Sequence, residues 1–579
     1  MNIKLLREKP FYLNETEQKW VTDTLDRMTE REKCGQLFVV LGNANSEDGL
    51  RDLIENWGVG GVLFRPAPKE TVSEQYQIAD RYAKIPLLKA ANLEEGGAGV
   101  ISDGTYFGNA LQVAAADDLS CTESFAKCCA KEGRSVGVNW TYSPVVDIDM
   151  NFRNPITNVR TFGSDTDKVL AHAEVFVKTI QKYGIAASCK HFPGDGVEEL
   201  DQHLALGIND LSVEDWNKSF RRVYETMIDE GLETIMVGHI ALPEMSRRLR
   251  PGITDAEIMP ATLAPELLGD LLRGEMGFNG LIITDATHMV GFSATAKRGD
   301  AVPGAIAAGC DMILFANDVE EDIGYVKAAY EKGLITEERL SDALHRVLGL
   351  KAHLHLYEES VRCPDKAGLD LVGCEEHKAY AEEAADTCVT LVKDTRHLIP
   401  VNPAEKKRAY LVYVQSTPTS KGYQGDPVKK VIQEELERAG FEVDLCPNYH
   451  DLEVENGVSP MNFIKMLGHG SRQEFIDSHD VVFLFINIKG YAQENNVRVR
   501  WSCNHSCELP WYNEEVPTVG VSLNFTNHLI DVPQLHTFVN AYGPTRAHIR
   551  AAIEKICGKS AFKGTAGETV FCGRWDTRR

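Results

Sequence analysis

Short runs of β-branched and other apolar residues alternate with helix-prone segments over residues 35–316. This alternation is typical of βα units, in which parallel strands that are buried on both faces read as continuous apolar runs. Eight parallel strands with intervening helices close into a barrel. The sequence therefore predicts an α/β fold that begins with a (β/α)8 TIM-like barrel, with strands at residues 35–42, 59–64, 86–92, 139–148, 185–192, 234–240, 280–286 and 311–316.

A polar, helix-prone stretch separates this region from a second set of apolar runs. We interpret residues 358–388 as a linker helix between a catalytic barrel at 1–357 and an α/β sandwich domain at 389–579. Three roles for the sandwich domain stay open, namely covering the barrel mouth, dimerisation and stabilisation. Its strands are predicted at residues 390–394, 408–414, 441–445, 481–488, 518–523 and 536–542.

The charge balance limits the classes of partner that this chain is expected to bind. Sixty-one Lys and Arg residues stand against 85 Asp and Glu residues, which gives a net charge of −24 and a pI near 5.2. Such a field repels phosphate backbones and anionic membranes, so neither nucleic acid nor a membrane is an expected partner. Charged residues occupy positions 4 and 7–9, where a signal peptide would need an apolar stretch, and we therefore predict a cytoplasmic location.

The 14 cysteines are scattered through a long chain that needs no disulfides for stability, so reduced thiols are predicted. One local cluster, Cys503, His505 and Cys507, has no second ligand pair at zinc-finger spacing. Ordinary thiols are the preferred interpretation there. We expect no metal and no cofactor.

Polar residues cluster at the predicted C-terminal ends of the barrel strands, where a barrel builds its active site. They are Asn92, Asp147, Asp149, Lys190, His191, His239, Asp285, Asn317 and Asp318.

The fifth strand runs into a glycine-rich loop that contains Asp195, Asp201 and His203. Asp201 and His203 are two positions apart, which lets a carboxylate orient an imidazole and raise its basicity for proton transfer. On spacing alone, the interpretation of Asp201 and His203 as two ordinary polar loop residues is the preferred one.

Asp285 ends the seventh apolar run. A carboxylate in a barrel mouth opposite a proton donor is the arrangement of a retaining glycosidase, in which the carboxylate attacks the anomeric carbon. Two alternatives are open on spacing alone. Asp285 is also placed to cap a following helix, and His191, His239 and Asp285 could together ligate a metal, although the first strand lacks a His-x-His pair.

Several stretches resemble glycoside hydrolase family 3, in the order in which that family carries them and over most of residues 25–350. The most specific are KHFPGDG with DQH, and GLIITDATHM. Residues 390–401 are similar to the start of that family's second, α/β sandwich domain. The other matching stretches are MTEREKCGQLF, NPITNVRTFGSD, MPATLAPELLGDLLRGEMGFN and AGCDMIL.

The resemblance implies a role for each matching residue. The Asp-x-His insertion after KHFPGxG marks the β-N-acetylglucosaminidase branch, so Asp285 would be the nucleophile, His203 the acid/base and Asp201 its orienter. Substrate-binding positions would hold sugar hydroxyls by charge-assisted hydrogen bonds. These positions are Lys190, His191, Arg160, Asn92 and Asp195.

Two of these positions depart from the family pattern. Asn92 stands where the family has a sugar-binding Asp, and an amide donates and accepts hydrogen bonds but carries no charge. Asp195 stands where many relatives carry His, and we expect it to hold the loop rather than to contact sugar.

The resemblance implies a retaining, exo-acting β-glycosidase that removes a terminal β-N-acetylglucosamine. Two variants are open: phosphorolysis with inorganic phosphate as acceptor, because a histidine repels an anion less than a glutamate does, and cleavage of β-glucosides or other hexosides. A sugar-binding protein with a decayed site is a further alternative. The expected partners are a small carbohydrate, inorganic phosphate and a second copy of the chain.

Overall fold

The computed structural model describes residues 4–42, 46–362, 366–415, 427–447, 471–490, 495, 497–501 and 507–579. The chain divides into two compact units. The first comprises Met1–Ala110 and Leu119–Ala381, and the second comprises Leu111–Asp118 and Glu382–Arg579. Among the described residues, no helix combines the length and the apolar composition that crossing a membrane requires.

The strands of the first unit are β1 (Phe38–Leu41), β2 (Gly61–Leu63), β3 (Leu88–Ala91), β4 (Trp140–Thr141), β5 (Ala186–Phe192), β6 (Gly207–Ile208), β7 (Thr234–Val237), β8 (Ile240–Ala241), β9 (Leu281–Ala286) and β10 (Met312–Leu314). Eight of them form a closed parallel barrel in the order β1-β10-β9-β7-β5-β4-β3-β2. The predicted barrel and its eight strands are confirmed. The remaining pair, β6 and β8, lies parallel in a small sheet of its own.

The barrel interior is packed and contains hydrogen bonds of its own. Every residue of β5 is buried, as are all residues of β3 and β7. Inside the barrel, the indole Nε1 of Trp140 donates to Ser188 Oγ at 3.1 Å and to Thr234 Oγ1 at 3.0 Å. These bonds satisfy the one polar atom of a large buried ring, so the interior is a filled core rather than a pore.

The helices up to residue 387 precede, separate and follow the barrel strands in the sequence. They are α1 (Lys4–Arg7), α2 (Glu15–Arg27), α3 (Glu30–Gly35), α4 (Glu47–Arg51), α5 (Lys69–Tyr82), α6 (Ala110–Ala115), α7 (Leu119–Val136), α8 (Thr166–Lys182), α9 (Val213–Trp216), α10 (Arg222–Asp229), α11 (Pro243–Leu249), α12 (Val290–Ser293), α13 (Arg298–Ala308), α14 (Val319–Glu331), α15 (Glu337–His353), α16 (Glu359–Arg362) and α17 (Glu375–Thr387). The same part of the chain contains three π-helical stretches, at Asp52–Asn56, Asn217–Arg221 and Glu266–Glu275. Helix α6 belongs mostly to the second unit.

Side-chain caps determine where several of these helices begin. Asn14 accepts from the amide of Glu17, whose carboxylate accepts from the amide of Asn14 in return. The side chain of Asp165 accepts from the amide of Lys168 at 3.0 Å and so starts α8. These bonds satisfy amides that have no partner inside the helix. The same helix then buries Val169, Ala173, Phe176, Val177 and Ile180.

The second unit contains a six-stranded sheet made of β11 (Thr390–Asp394), β12 (Arg408–Gln415), β13 (Glu442–Leu445), β14 (Val481–Asn487), β15 (Thr518–Ser522) and β16 (Thr537–Asn540). The order is β11-β16-β15-β14-β12-β13, and only β11 is antiparallel to its neighbour. All six predicted strands are confirmed. Its helices are α18 (Pro427–Ala439), α19 (Arg472–Ser478) and α20 (Arg546–Ile556).

Candidate active site

The loop that follows β5 brings Asp201 and His203 together. The amide of His203 donates to Asp201 Oδ1 at 2.8 Å, and the ring nitrogen Nδ1 lies 2.6 Å from the same oxygen. Asp201 is fully buried, whereas the side chain of His203 is 23% exposed. Because an ionised carboxylate only accepts hydrogen bonds, Nδ1 carries the proton of this bond and Nε2 is left for exchange with a ligand. The two residues form the predicted dyad.

Two glycines allow the backbone of this loop to turn beside the barrel. Gly194 has φ +120°, and a Cβ there would lie 2.1 Å from the ring of Phe220. Gly196 has φ +102°, and its Cβ would lie 2.1 Å from the carbonyl oxygen of Ile148. Both positions need a left-handed backbone and a close approach, so glycine is required at each.

Asp285 lies near the end of β9. Its Oδ1 accepts from the amide of Ala286 at 2.7 Å, and its Oδ2 lies 3.9 Å from His191 Nε2. Burial favours the neutral carboxyl, but the neighbouring His191 and His239 and the Ala286 amide outweigh it and hold the pKa of Asp285 below its ordinary value. The group is therefore an ionised carboxylate with one oxygen directed towards an imidazole beyond hydrogen-bond distance.

His191, at the end of β5, is fixed from behind by Asp147. The carboxylate of Asp147 accepts from the amide of His191 at 3.0 Å and lies 2.7 Å from its Nδ1. The ring therefore presents Nε2 to Asp285. A third bond, from the amide of Asp195 to Asp147 at 2.8 Å, ties the following loop to the same carboxylate.

Glu94, a carboxylate that was not among the predicted site residues, pairs with two of the predicted substrate-binding residues, one of which also contacts a third. It receives two hydrogen bonds from Arg160, at 3.0 and 3.1 Å, and its Oε1 lies 2.6 Å from Lys190 Nζ. Lys190 also donates to Asn92 Oδ1 at 3.3 Å. Burial acts against the ionised form, but Arg160 and Lys190 outweigh it and hold the pKa of Glu94 well below its ordinary value.

The cluster of Asn92, Glu94, Arg160 and Lys190 thus combines one carboxylate and two cations at the ends of strands β3 and β5 and in the segment after β4. Glu94 follows Asn92 by two residues and is separated from the glycines Gly96 and Gly97 by Glu95 alone. Glu94 follows the end of β3 just as Asn92 does, and polar residues at the C-terminal ends of barrel strands are candidates for the active site. The sequence therefore contained the information needed to select Glu94 as a candidate site residue.

Asp195 makes its contacts with protein rather than with the open site. Its carboxylate accepts from Asn154 Nδ2 at 2.8 Å, from the Gly196 amide at 2.6 Å and from Gln202 Nε2 at 3.3 Å. The residue is 5% exposed. These contacts support the interpretation of Asp195 as a residue that holds the loop.

His239, one member of the alternative metal set, uses both of its ring nitrogens within the fold. Nδ1 lies 3.1 Å from Thr262 Oγ1 and Nε2 lies 3.1 Å from the carbonyl oxygen of Ala286. Since the carbonyl only accepts, Nε2 is the protonated nitrogen of a neutral ring. Burial lowers the pKa of His239 to about 4. This arrangement favours a structural role over metal binding.

The groups of potential metal ligands that the described residues bring together lie elsewhere in the first unit. They are Cys128, Glu132 and His377, and Cys374, Glu376 and His377. Thr105, Gly373 and His377 already hydrogen-bond the carboxylate of Glu132. Of the predicted Cys503, His505 and Cys507 cluster, the first two lie outside the described residues, and Cys507 is buried with its Sγ 3.4 Å from that of Cys446.

Comparison with known proteins decides the family. Residues 29–350 match the model of the glycosyl hydrolase family 3 N-terminal domain. The chain belongs to this family. It is therefore a glycoside hydrolase of family 3, as the resemblance of its motifs implied.

Two relatives of this family member match it over nearly its whole length. A protein named β-N-acetylglucosaminidase/β-glucosidase from Cellulomonas fimi is 38% identical and covers 99% of each chain. A solved structure of the β-glucoside phosphorylase BglX is 37% identical, covers 100% of each chain and has a TM-score of 0.91.

A family 3 β-N-acetylglucosaminidase from Paenibacillus sp. str. FPU-7 has a TM-score of 0.75 at 23% identity, covering 93% of this chain and 98% of its own. At this identity the likeness concerns the fold. The fold of nearly the whole chain is thus shared with this family member.

Proposed function

We propose that this family 3 enzyme is a retaining, exo-acting β-glycosidase that removes a terminal β-N-acetylglucosaminyl or β-glucosyl residue. The observation that carries the proposal is the pairing of an ionised Asp285 with a His203–Asp201 dyad among the segments that follow the barrel strands. Asp285 supplies a nucleophile, and the dyad supplies a proton donor that becomes a base in the second step. No cofactor enters this chemistry.

The reaction proceeds as two displacements. In the first, Asp285 Oδ2 forms a bond to the anomeric carbon while the glycosidic C–O bond breaks, and the proton on His203 Nε2 passes to the departing oxygen. In the second, neutral His203 takes a proton from the acceptor, whose oxygen displaces Asp285 from the anomeric carbon. Two inversions give net retention of configuration.

Asp201 keeps the imidazole of His203 in the correct tautomer, since its buried carboxylate accepts the Nδ1 proton at 2.6 Å. His191, held by Asp147, contributes a second imidazole beside the nucleophile, where it is placed to contact the sugar at the reacting centre.

Arg160, Lys190, Glu94 and Asn92 form the sugar-recognition cluster of this proposal. Their cationic donors and carboxylate acceptor match the hydroxyl groups of a hexose, each of which donates and accepts. The full-length relatives are named for β-N-acetylglucosaminides and β-glucosides, and β-glucosides are common to both names. We therefore propose these two sugars as substrates.

A trapping experiment tests the nucleophile. Incubation with 2-deoxy-2-fluoro-β-glucosyl fluoride should label the protein covalently, and peptide mapping should place the label on Asp285. Asp285→Asn should abolish labelling and reduce turnover at least about a thousandfold. Asp318→Asn is the matched control, since Asp318 follows the next strand and caps α14 through the amide of Glu321. Labelling of another carboxylate would contradict the assignment.

A leaving-group series tests the acid. His203→Ala should lose about a hundredfold or more in kcat/KM on alkyl β-glycosides, whose departing oxygen needs a proton. The same variant should lose little on 2,4-dinitrophenyl β-glycosides, whose departing group leaves as an anion. Equal activity of wild type and His203→Ala on the alkyl substrates would place the acid elsewhere.

Phosphate is the second candidate acceptor, favoured by the surroundings of the acid/base. The catalytic base is a histidine, which carries no negative charge. His288 lies three residues after the nucleophile and is exposed. Partial burial and the positive charges of His203, Arg65 and Arg298 lower its pKa against the opposing effect of Asp285. Such a field attracts an anion, and a full-length relative is a phosphorylase. Stimulation of turnover by phosphate, with formation of a glycosyl phosphate, would establish this acceptor.

The cytoplasmic location and the homodimer stay predictions.

A further inference from the structure

The carboxylate of Asp195 accepts hydrogen bonds on both of its oxygens inside the loop that carries the dyad. Oδ1 accepts from Asn154 Nδ2 and from the Gly196 amide, and Oδ2 accepts from Gln202 Nε2. Asn154 belongs to the segment that follows β4, and Gln202 stands between the two members of the dyad. Asp195 therefore connects the neighbouring strand end to the proton donor.

Gln202 continues this connection to the end of β7. Its Oε1 accepts from the amide of His239 at 2.9 Å, and its carbonyl oxygen accepts from the Gly291 amide at 3.1 Å. Gln202 is 1% exposed. Because the side-chain oxygen is held by His239 and the side-chain nitrogen by Asp195, the orientation of this amide is fixed from both sides.

An amide at position 195 cannot replace the carboxylate. The groups of Asn154, Gly196 and Gln202 that face it are all donors, so the side chain must accept on both oxygens. An asparagine would turn an NH2 group towards one of these donors in either orientation. Rotating the Gln202 amide does not help, since its NH2 group would then face the donating amide of His239.

We propose that Asp195 is a positioning residue for the proton donor. Through Gln202 it holds the backbone on both sides of position 202, and thereby keeps His203 Nε2 where its proton reaches the departing glycosidic oxygen. This inference rests on the acid/base role proposed for His203. In this proposal Asp195 acts through Gln202 rather than on the sugar, because its 5% exposed side chain already accepts from three protein groups.

The role has a kinetic signature that a general loss of structure does not produce. A displaced acid slows the cleavage of substrates in proportion to their need for protonation. Asp195→Asn should therefore lose at least tenfold in kcat/KM on alkyl β-glycosides and less than threefold on 2,4-dinitrophenyl β-glycosides. His203→Ala should show the same pattern with a larger loss on the alkyl substrates.

Asp149→Asn is the matched control. Asp149 is as buried as Asp195 and follows β4, the barrel strand beside β5, but its carboxylate accepts from Thr157 and Asn158 and not from the dyad loop. This variant should change kcat/KM by the same small factor on every leaving group. Thermal unfolding of all variants, followed by circular dichroism, establishes that the folded fraction is the same.

A compensating variant tests the hydrogen-bond logic directly. In Asp195→Asn with Gln202→Glu, one glutamate oxygen accepts from the His239 amide and the other accepts from the new asparagine. Activity on alkyl substrates should return to within about threefold of wild type, whereas Gln202→Glu alone should remain impaired because two carboxylates then face each other.

The outcomes separate the two proposals. A loss in Asp195→Asn that is equal for all leaving groups, or an absence of rescue in the double variant, would overturn the positioning role while His203→Ala still depends on the leaving group. If His203→Ala itself shows no such dependence, the proposed function fails and the role of Asp195 fails with it.

Discussion

The Nζ of Lys190 lies 2.6 Å from Oε1 of Glu94, and the guanidinium of Arg160 donates twice to the same carboxylate. One carboxylate therefore pairs with two cations, and the negative charge of Asp285 acts on both cations as well. Such a triad is pre-organised for hydroxyl groups, since each charged group is already held in place before a ligand arrives. We therefore expect loss of these ion pairs to lower both the stability of the fold and the affinity for the sugar.

Glu94→Gln should impair both properties. Removing the charge leaves two cations facing each other at a partly buried site, and breaking a buried ion pair costs about 3 kcal/mol. The variant should unfold at a lower urea concentration, and kcat/KM should fall about tenfold or more as hydrogen bonds to charged groups are lost. Equilibrium unfolding and initial rates measure the two effects.

The neighbouring Glu95→Gln serves as the comparison, because the ion pairs of Arg160 and Lys190 described above both go to Glu94. If Glu94→Gln and Glu95→Gln had the same KM and the same unfolding midpoint, the triad would not contribute to recognition.

The anomeric configuration of the first product follows from the two displacements. Hydrolysis of a β-glycoside should release the β-sugar, and transfer to phosphate should release the β-glycosyl phosphate, because each passes through a covalent α-linked intermediate on Asp285. Proton NMR during the first minutes of reaction distinguishes the anomers before mutarotation. Initial release of the α-anomer would exclude the two-step mechanism.

Neutral His239 predicts a pH dependence of stability. Its folded pKa of about 4 lies below the ordinary value of 6.5, so the unfolded chain binds more protons between these limits. Stability should therefore be full above pH 6.5 and should decline as the pH falls towards 4, by about 3 kcal/mol for this group. His239→Gln should unfold with a shallower dependence on pH over this interval. An unchanged slope in the variant would mean that other groups carry the effect.

In the second unit, Glu435 accepts from three arginines on its own helix and on α20, namely Arg438, Arg546 and Arg550. Burial opposes ionisation, but these contacts lower the pKa of Glu435 to about 2. Their contribution is present above the ordinary pKa of 4.5 and is lost as the pH falls towards 2.

Glu435→Gln should therefore destabilise the second unit by about 1–2 kcal/mol at pH 7, because the arginines left behind are 41–46% exposed and remain partly hydrated. Its neighbour Glu434 pairs with Arg546 while 41% exposed, and Glu434→Gln should change stability by less than about 0.5 kcal/mol. Denaturant unfolding of both variants gives the comparison, and equal destabilisation of the two would contradict it.

The strands of both units were predictable because their burial on two faces requires unbroken apolar runs, which the sequence displays. Strand ends were less accurate. The run 139–148 predicted one long strand, but β4 comprises Trp140–Thr141 alone. The residues that follow β4 are buried as well, so the apolar run continues beyond the residues that pair with neighbouring strands. Composition alone does not distinguish residues that pair in a sheet from residues that are only buried.

The site was predictable where a motif fixes a residue, as for Asp285 and the Asp201–His203 dyad. It was not predictable where partners come from different strands. Glu94 and Arg160 are 66 positions apart in the sequence, with strand β4 between them, and Asp195 and Asn154 are 41 positions apart. Pairings of this kind depend on the register of the barrel, which no local pattern encodes.

The second unit includes residues 111–118, which lie within the sequence of the barrel. There Leu111 and Ala115 join the apolar core of that unit, and Gln112 contacts His548 at 2.8 Å. A ribosome adds about 5–20 residues per second, so residues such as His548 are synthesised some tens of seconds after this segment. A barrel truncated at residue 381 would keep the segment but never receive those partners, so the two halves of this enzyme cannot be separated by a single cut.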